Sequence, residues 1–351
     1  MIESSNQAGD SIGERVAIGV EIAESATRLT AALANAARAD NSPALSCTRS
    51  QRRWYARLPT PPSPAAALEA LHTLIERTLQ ESGYVVDASP NALSIGVAFQ
   101  GEADSERGRI LGMRSAEGWE GYPLAKRLAE RWGGHVCIET ATAAAALAEA
   151  HLGVGQGQIS LLYVSLGRNV TSAYVLDGRI ARGTHGRAGR LGHWFVAPDG
   201  PRCACGIKGH LDPLASAQSL VRNAIGRASA SDESTAAMLR ISGGRAEAMT
   251  AAQVVQLAAE GDLAATEVVS AAREALALTF ANLIAMLDPG LIVVGGALAA
   301  AGDAYFAPLN QQTHALCAAY APGEAIAQIV PGALEPFAAL DGALWLAMNR
   351  N

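Results

Sequence analysis

The sequence predicts an α/β protein built from two domains. Its 351 residues correspond to about 2.3 domains of average length. Strand-forming runs alternate with segments of helical apolar periodicity, which is typical of α/β proteins. Two strands around a short polar turn open the chain within residues 16–34, and the same arrangement returns at residues 159–176. The chain is therefore predicted to contain two related α/β halves.

Composition limits the classes of protein to which this chain can belong. Apolar residues make up 50%, charged residues 17% and aromatic residues 5%, which predicts an aliphatic core and excludes wholesale disorder. The 27 basic and 33 acidic residues give a net charge of −6, which argues against chain-wide affinity for polyanions. The longest strongly apolar stretch, residues 290–302, is shorter than the roughly 20 residues that cross a bilayer. Residues 1–15 lack the pattern of a secretory signal, so we expect a cytoplasmic protein without membrane association.

The cysteines do not form the pattern of a disulfide framework, because their number is odd and they are scattered. This usage also favours the cytoplasm. The cysteines are Cys47, Cys137, Cys203, Cys205 and Cys317.

Domain boundaries follow from the order of the predicted elements. Residues 1–15 are expected to form a flexible tail. Residues 16–137 form an N-terminal α/β domain, which a C-terminal helix within 336–351 completes. Residues 138–335 form a larger α/β domain. Within it, the Ser- and Ala-rich segment 227–249 is left open as a lid or a loose insertion.

Patterns of apolar residues locate the individual elements. Strands are predicted at residues 16–22, 28–34, 46–58, 92–99, 135–138, 159–166, 170–176 and 291–294. Helices are predicted near residues 68–79, 123–132, 141–151, 250–260, 262–287 and 335–350.

A Gly-rich irregular loop carries two cysteines and two histidines, namely His193, Cys203, Cys205 and His210. Two thiolates and two imidazoles complete the tetrahedral coordination of Zn²⁺ and leave no open position, so a zinc ion here would be structural. A metal-free loop with two solvent-exposed thiols and two histidines is the alternative that spacing alone leaves open.

This loop resembles that of the ROK family, whose members are repressors and sugar kinases. The family pattern Ala-Gly-Glu-x-Gly-His, followed by Cys-x-Cys-Gly-x-x-Gly-Cys-x-Glu, is similar to residues 188–193 and 203–212, with His210 in place of the last cysteine. Residues 95–101, 118–124 and 288–296 also match. The resemblance implies an actin-like ATPase or ribonuclease-H-like fold, with two α/β domains around a cleft. It also implies a structural zinc ion and a homodimer.

Residues 139–149 align without gaps onto the family's catalytic helix, Glu-Asn-Asp-Ala-Asn-Ala-Ala-Ala-Leu-Ala-Glu. The aspartate that accepts the proton of the sugar hydroxyl corresponds to Ala141. A methyl group cannot accept a proton, and loss of a general base costs about 10²- to 10⁴-fold in rate. Glu139 is retained, but the family does not use that glutamate as the base. No catalytic residue is therefore predicted to be intact.

The first phosphate loop of the family, Asp-x-Gly-Gly-Thr, corresponds here to Glu21, Ala23, Glu24 and Ser25 around Ile22. Ala23 adds a Cβ where the backbone must approach the phosphates of ATP. Glu24 places a carboxylate where triphosphate would lie, and two like charges ~4 Å apart repel by about 4 kcal/mol at an effective dielectric of 20.

The second phosphate loop has lost two of its three glycines. The family's Gly-Thr-Gly-x-Gly is here Gly167, Arg168, Asn169, Val170 and Thr171. We therefore predict that Mg-ATP is not bound. In the family fold the two loops face each other, so a further hypothesis is that Glu24 and Arg168 pair across the nucleotide site. The glycine turn on the adenosine side is retained, as Gly295 and Gly296.

Four positions that contact sugar in the family have also changed; they correspond to Ser115, Thr140, Arg190 and Asp212. The family's histidine is retained as His193, which completes the predicted sugar pocket. Arg190 offers only hydrogen-bond donors where a family carboxylate would accept from two sugar hydroxyls. An acidic sugar would suit such a pocket better than a neutral hexose. The alternative is that Arg190 lies in an ion pair within the protein.

These observations favour a ROK-type pseudokinase that binds a small molecule, a sugar or sugar acid, or that regulates a partner. One alternative is an active ATP-dependent sugar kinase, of the glucokinase or N-acyl-hexosamine kinase type, with a rebuilt site. A second is an effector-sensing transcriptional regulator that lacks its own helix-turn-helix. Direct DNA binding is not expected, because 15 residues precede the first predicted strand.

Overall fold

The computed structural model of the chain divides into two compact units. The first contains Met1–Ala141 and Leu340–Asn351, and the second contains Thr142–Ala339. The predicted tail up to residue 14, the first part of the predicted third strand and Ser115 lie outside the described residues. The structure describes residues 15–34, 54–82, 93–113, 116–321 and 326–349.

The first unit contains one five-stranded sheet, one small hairpin and two helices that precede or connect strands. Its elements are β1 (Arg15–Ile22), β2 (Thr27–Ala34), β3 (Trp54–Leu58), α1 (Pro64–Ser82), β4 (Leu93–Phe99), β5 (Glu102–Asp104), β6 (Arg109–Gly112), α2 (Leu124–Trp132) and β7 (His135–Thr140).

The second unit contains another five-stranded sheet and most of the helices. Its elements are α3 (Ala141–Leu152), β8 (Ser160–Leu166), β9 (Val170–Leu176), β10 (Arg179–Ile180), α4 (Asp212–Ala215), α5 (Ala217–Ala228), α6 (Asp232–Ile241), α7 (Ala251–Ala259), α8 (Leu263–Leu287), β11 (Leu291–Gly295), α9 (Asp303–Cys317) and β12 (Gln328–Pro331). The last helix, α10 (Ala338–Met348), returns to the first unit.

The two sheets share one topology. The first has the order β3-β2-β1-β4-β7 and the second β10-β9-β8-β11-β12. In each sheet the first three strands form antiparallel pairs, and the last two strands join in parallel. The internal duplication predicted from the sequence is therefore confirmed at the level of strand order.

The sheet of the first unit is buried on both faces. All seven residues of β4 are buried, which explains its continuous apolar sequence. One face packs against α1 and α2 through residues such as Leu71, Ile75 and Leu128. The other face packs against α10, where the backbone of Gly96 lies directly under Ala343. This close approach requires the absence of a side chain.

Substitution of Gly96 by Ala is expected to lower the free energy of unfolding by about 2–3 kcal/mol, because overpacking a tight contact forces the backbone to move. A Cβ at Gly96 would lie 1.9 Å from the Ala343 carbonyl oxygen. Gly112→Ala is the matched control, because a Cβ there meets nothing within 4 Å. Urea unfolding of both variants makes the comparison. Equal stabilities for the two variants would contradict the close packing of α10 on β4.

The segment 227–249 is packed helical structure. It contains the end of α5, all of α6 and a 3₁₀ turn at Ala246–Ala248. Met238 and Met249 are buried in the main core of the second unit. The Ser231 hydroxyl caps α6 by accepting a hydrogen bond from the Ser234 N–H at 3.3 Å. Neither a lid nor a loose insertion, the two interpretations that the sequence left open, describes this packed arrangement.

Within the part of the chain that the structure describes, α8 alone is long and apolar enough to cross a membrane. However, 61% of its most apolar window is buried inside the protein. Val268, Leu276 and Phe280 are among its core residues. Such burial is typical of the core helix of a globular domain.

Candidate functional site

The loop that follows β1 is the one predicted to correspond to the first phosphate loop, and its backbone donors form hydrogen bonds within the protein. The Ala23 N–H donates to the Ala26 carbonyl at 3.1 Å. The Glu24 N–H donates to Oε1 of Gln100 at 3.0 Å. The hydroxyl of Thr60 donates to the Ala23 carbonyl at 2.6 Å. A phosphate group would have to displace at least two of these contacts to reach the N–H groups.

Glu21, predicted to correspond to the first aspartate of that loop, is paired with a cation from the neighbouring strand. The antiparallel register of β1 and β2 places Arg28 directly opposite Glu21. Their side chains form an ion pair, and Glu21 is only 6% exposed. A guanidinium therefore already neutralises this carboxylate, as a bound divalent cation would.

The position of the general base lies at the junction of β7 and α3. Ala141 is the first residue of α3, directly after the last strand residue, Thr140. Glu139, two residues earlier, is 4% exposed, and its Oε2 accepts a hydrogen bond from the Ser105 hydroxyl at 2.9 Å. Glu139 is thus a buried residue that holds the loop after β5, which fits a structural role.

The turn between β8 and β9 is the one predicted to correspond to the second phosphate loop, and two side chains contact it. The Val170 N–H donates to Oδ1 of Asp212 at 2.6 Å. The hydroxyls of Thr171 and Thr142, the second residue of α3, lie 2.7 Å apart. The Gly167 N–H donates to the Asn169 carbonyl at 3.3 Å. The Asp212 carboxylate therefore already accepts a hydrogen bond from the Val170 N–H of this loop.

Gly295 and Gly296 end β11, and their close packing accounts for both glycines without a nucleotide. A Cβ at Gly295 would lie 1.8 Å from Oη of Tyr163, and one at Gly296 about 3.0 Å from the Leu166 backbone. The Gly296 N–H and the Tyr163 hydroxyl donate to Oε1 of Glu335, at 2.8 Å and 2.6 Å. Close packing around the Glu335 carboxylate therefore explains why both glycines are retained in this turn.

The residues predicted for sugar contact are placed as follows. Thr140 ends β7, and Arg190 is exposed immediately before the 3₁₀ turn Leu191–His193. Asp212 is half-buried and engaged with Val170. Within the second unit, Asp212 therefore links the second loop to the Cys/His loop, a contact that the sequence alone did not reveal.

The Cys/His loop brings its four candidate ligands together. Ligand atoms of His193, Cys203, Cys205 and His210 all lie within 4.8 Å of one another. The Nδ1 atoms of His193 and His210 are 3.3 Å apart. Sγ of Cys203 lies 3.9 Å from Nδ1 of His193, and Sγ of Cys205 lies 3.4 Å from Nδ1 of His210.

These separations fit a tetrahedral zinc ion. Zn–N bonds of about 2.05 Å and Zn–S bonds of about 2.3 Å at tetrahedral angles give N···N near ~3.3 Å and N···S near ~3.6 Å. Burial raises the pKa of the Cys203 thiol, so a metal must displace its proton on binding. The four side chains can thus hold Zn²⁺ with no position left for substrate or water.

Local backbone structure forms this cluster. The Cys203 N–H donates to the Ile207 carbonyl at 2.8 Å, and the Gly206 N–H donates to the Cys203 carbonyl at 2.9 Å. Gly206 has a φ of +92°, which favours glycine at this tight turn. The ring of Phe195 lies edge-on to His210, with 4.7 Å between centroids, and fixes the orientation of that imidazole.

The two α/β units with sheets of the same topology define a protein of the actin-like ATPase fold class. The chain matches the ROK family over residues 33–350. It therefore belongs to the ROK family.

Relatives within this family include both kinases and repressors. The chain is 28% identical over 236 residues to the glucokinase of Thermotoga maritima, covering 67% of this chain and 74% of that protein. It is 28% identical over 213 residues to the DNA-binding transcriptional repressor Mlc of Escherichia coli, covering 61% of this chain and half of that protein. A ROK family glucokinase from Streptomyces griseus, solved with glucose and AMPPNP, has a TM-score of 0.73 and 26% identity, covering 95% of this chain and 99% of that one.

Proposed function

We propose that this protein is a ROK-family pseudokinase, which binds a small molecule or regulates a partner without transferring phosphate from ATP. The observation that carries the proposal is the internal use of both phosphate loops. N–H groups of Ala23, Glu24 and Val170 donate to oxygen atoms of the chain itself.

The energetic cost of opening these loops supports the proposal. The bond between Val170 and Asp212 has a charged acceptor, and such bonds contribute about 1.5–3 kcal/mol each. A triphosphate would also meet the Glu24 and Asp212 carboxylates, and each like-charge approach to ~4 Å costs about 4 kcal/mol at an effective dielectric of 20. Arg28 already neutralises Glu21, so the usual gain from a bound Mg²⁺ ion is diminished.

The absence of a general base also supports the pseudokinase proposal. Ala141 offers no proton acceptor at the start of α3. Glu139 accepts a hydrogen bond from Ser105 and is buried, which supports a structural role for its carboxylate. Neither a nucleotide loop nor a base is therefore available for phosphoryl transfer.

We assign the Cys/His loop to a structural Zn²⁺ ion held by His193, Cys203, Cys205 and His210. The supporting observation is the donor set at near-tetrahedral separations. The ion would fix the loop that carries Arg190 at one end and Asp212 at the other.

For the ligand we propose a sugar or a sugar acid, with Arg190, His193 and Asp212 as its contacts in the second unit. Relatives of this chain include a glucokinase, an N-acetylmannosamine kinase and a xylose repressor. Arg190 is exposed and replaces a family carboxylate, so it favours a ligand that carries a negative charge. The proposal also retains a cytoplasmic homodimer.

A phosphoryl-transfer assay tests the proposal. The zinc-loaded protein is incubated with Mg-ATP and with neutral, amino and acidic sugars, and the Streptomyces griseus glucokinase with glucose is the positive control. We expect no sugar-dependent formation of ADP, together with calorimetric binding of at least one acidic sugar. Sugar-dependent turnover within a factor of about 10² of the control would refute the pseudokinase assignment.

A further inference from the structure

Parts of two neighbouring helices in the second unit, α8 and α9, carry no charged residue. Residues 275–287 of α8 and residues 304–321, which contain most of α9, include no Asp, Glu, Lys or Arg. At the chain's average of 17% charged residues, stretches of this combined length would contain about five. The exposed sides of these helices therefore lack the charges that ordinarily cover a helix in contact with water.

Large apolar side chains are exposed there instead. Leu278 is 42%, Met286 74%, Leu316 47% and Tyr320 52% exposed. The Tyr320 hydroxyl donates to the Ala281 carbonyl at 3.2 Å and so connects the end of α9 to α8. Leu278 lies about one turn before Ala281, and Leu316 about one turn before Tyr320. The four side chains therefore belong to one surface, the α8/α9 face.

The composition of the α8/α9 face is that of a protein interface. Small exposed residues accompany the large ones, namely Ala285, Ala315, Ala318 and Ala319. Interfaces are depleted of charge at their centre and are surrounded by a polar rim. Glu274, Asp288 and Asp303 are exposed and immediately precede or follow the uncharged stretches, so they supply such a rim.

The charge pattern also indicates which partner fits. The three rim residues are acidic, and an anionic membrane surface repels acidic residues. A partner selected by opposite charge would find no charge to pair with at the centre of the face. In a two-fold dimer the same patch meets itself, so any net charge at the centre would face a like charge. An uncharged centre is therefore suited to a second copy of this chain.

The size of the face is sufficient for such a contact. The four large side chains alone expose on the order of 400 Å², about half of the ~800 Å² that each partner buries in a stable complex. The exposed alanines, together with Asn282 and Gln311, extend the same face.

We propose that two copies of this chain associate through the α8/α9 face, with Leu278, Met286, Leu316 and Tyr320 buried between the protomers. The inference rests on the homodimer retained in the proposed function and identifies the surface that forms it. It is independent of whether the chain binds ATP.

Sedimentation equilibrium of the full chain tests this surface. We expect the unchanged protein to be a dimer at about 10 µM. Leu278→Glu and Leu316→Glu each bring like charges together at the contact and should weaken association at least about tenfold. Leu263→Glu is the matched control and should remain dimeric. Leu263 is 78% exposed on the same helix, but it lies 15 residues, or roughly 22 Å, before Leu278.

A mixing experiment separates loss of the contact from damage to the fold. The double variant with glutamate at positions 278 and 316 is mixed with the double variant that carries lysine at both. Each should be monomeric alone and folded by circular dichroism, and the equimolar mixture should form dimers.

Two results would overturn the proposal in distinguishable ways. An unchanged protein that is monomeric at 10 µM would refute both the α8/α9 face and the homodimer, without bearing on phosphoryl transfer. A dimer whose association is equally strong in Leu278→Glu, Leu316→Glu and Leu263→Glu would refute the α8/α9 face alone.

Discussion

Replacement of Cys203 by Ala is expected to destabilise the second unit more than any other single change to a cysteine. Loss of a ligand releases the proposed zinc ion, and structural zinc contributes about 10–16 kcal/mol to folding in small zinc-finger peptides. Because only the Cys/His loop depends directly on the ion here, we expect a loss on the order of 5 kcal/mol, or a midpoint lower by roughly 10–20 °C. Thermal unfolding with and without a chelator measures the effect.

Two variants accompany that measurement. Cys137→Ala is the matched control, because Cys137 is partly buried and lies outside the cluster. His210→Cys restores the family's fourth ligand and should retain one zinc per chain by elemental analysis. Purified protein without stoichiometric zinc, or equal losses for Cys203→Ala and Cys137→Ala, would rule out a structural metal in this loop.

The second large effect concerns phosphoryl transfer. Ala141→Asp alone is expected to leave the protein inactive, because the restored base has no bound nucleotide to act with. Adding Ala23→Gly, Glu24→Gly, Arg168→Thr and Asn169→Gly restores glycine and removes charge in both loops. We expect this combined variant to gain at least about 10²-fold in sugar-dependent ADP formation, the lower range for a general base.

A control variant introduces the aspartate at another position of α3. Ala150→Asp, combined with the four loop changes, should remain at background activity. Activity in Ala141→Asp alone would show that the loops as they stand hold ATP, and the pseudokinase account would then fail. A coupled spectrophotometric assay with a sugar panel distinguishes these outcomes.

Much of the fold is predictable because the strands are long and apolar. The runs that became β1, β4, β8 and β11 carry continuous apolar residues, and their repeated order revealed the duplication. The helices α5 and α6 were not predicted. The buried residues of α5 are mostly alanine and serine, and α6 buries only Ser234 and Met238, so neither helix has a row of large apolar residues in its sequence. The strands β5 and β6 form a hairpin of three and four residues, too short to show an apolar pattern, and β12 pairs with β11, which is distant in sequence.

Motif comparison located the candidate sites but not the groups that now occupy them. Arg28 could have been found, because a tight turn after residue 22 places it opposite Glu21 in an antiparallel hairpin. Gln100 was noticeable in the sequence only because it replaces the proline that the ROK family has at this position. The Asp212 contact with Val170 spans 42 residues, and no local pattern predicts it.

Calorimetric titration of the zinc-loaded protein with Mg-ATP measures directly whether the protein binds nucleotide. If the protein is a pseudokinase, we expect no saturable heat of binding at nucleotide concentrations up to about 1 mM, in protein shown to be folded by circular dichroism. A dissociation constant tighter than about 1 mM, equivalent to roughly −4 kcal/mol, would contradict it. That result would mean that ATP displaces Gln100 and Asp212 from the loops, and the chain would have to be treated as a working kinase.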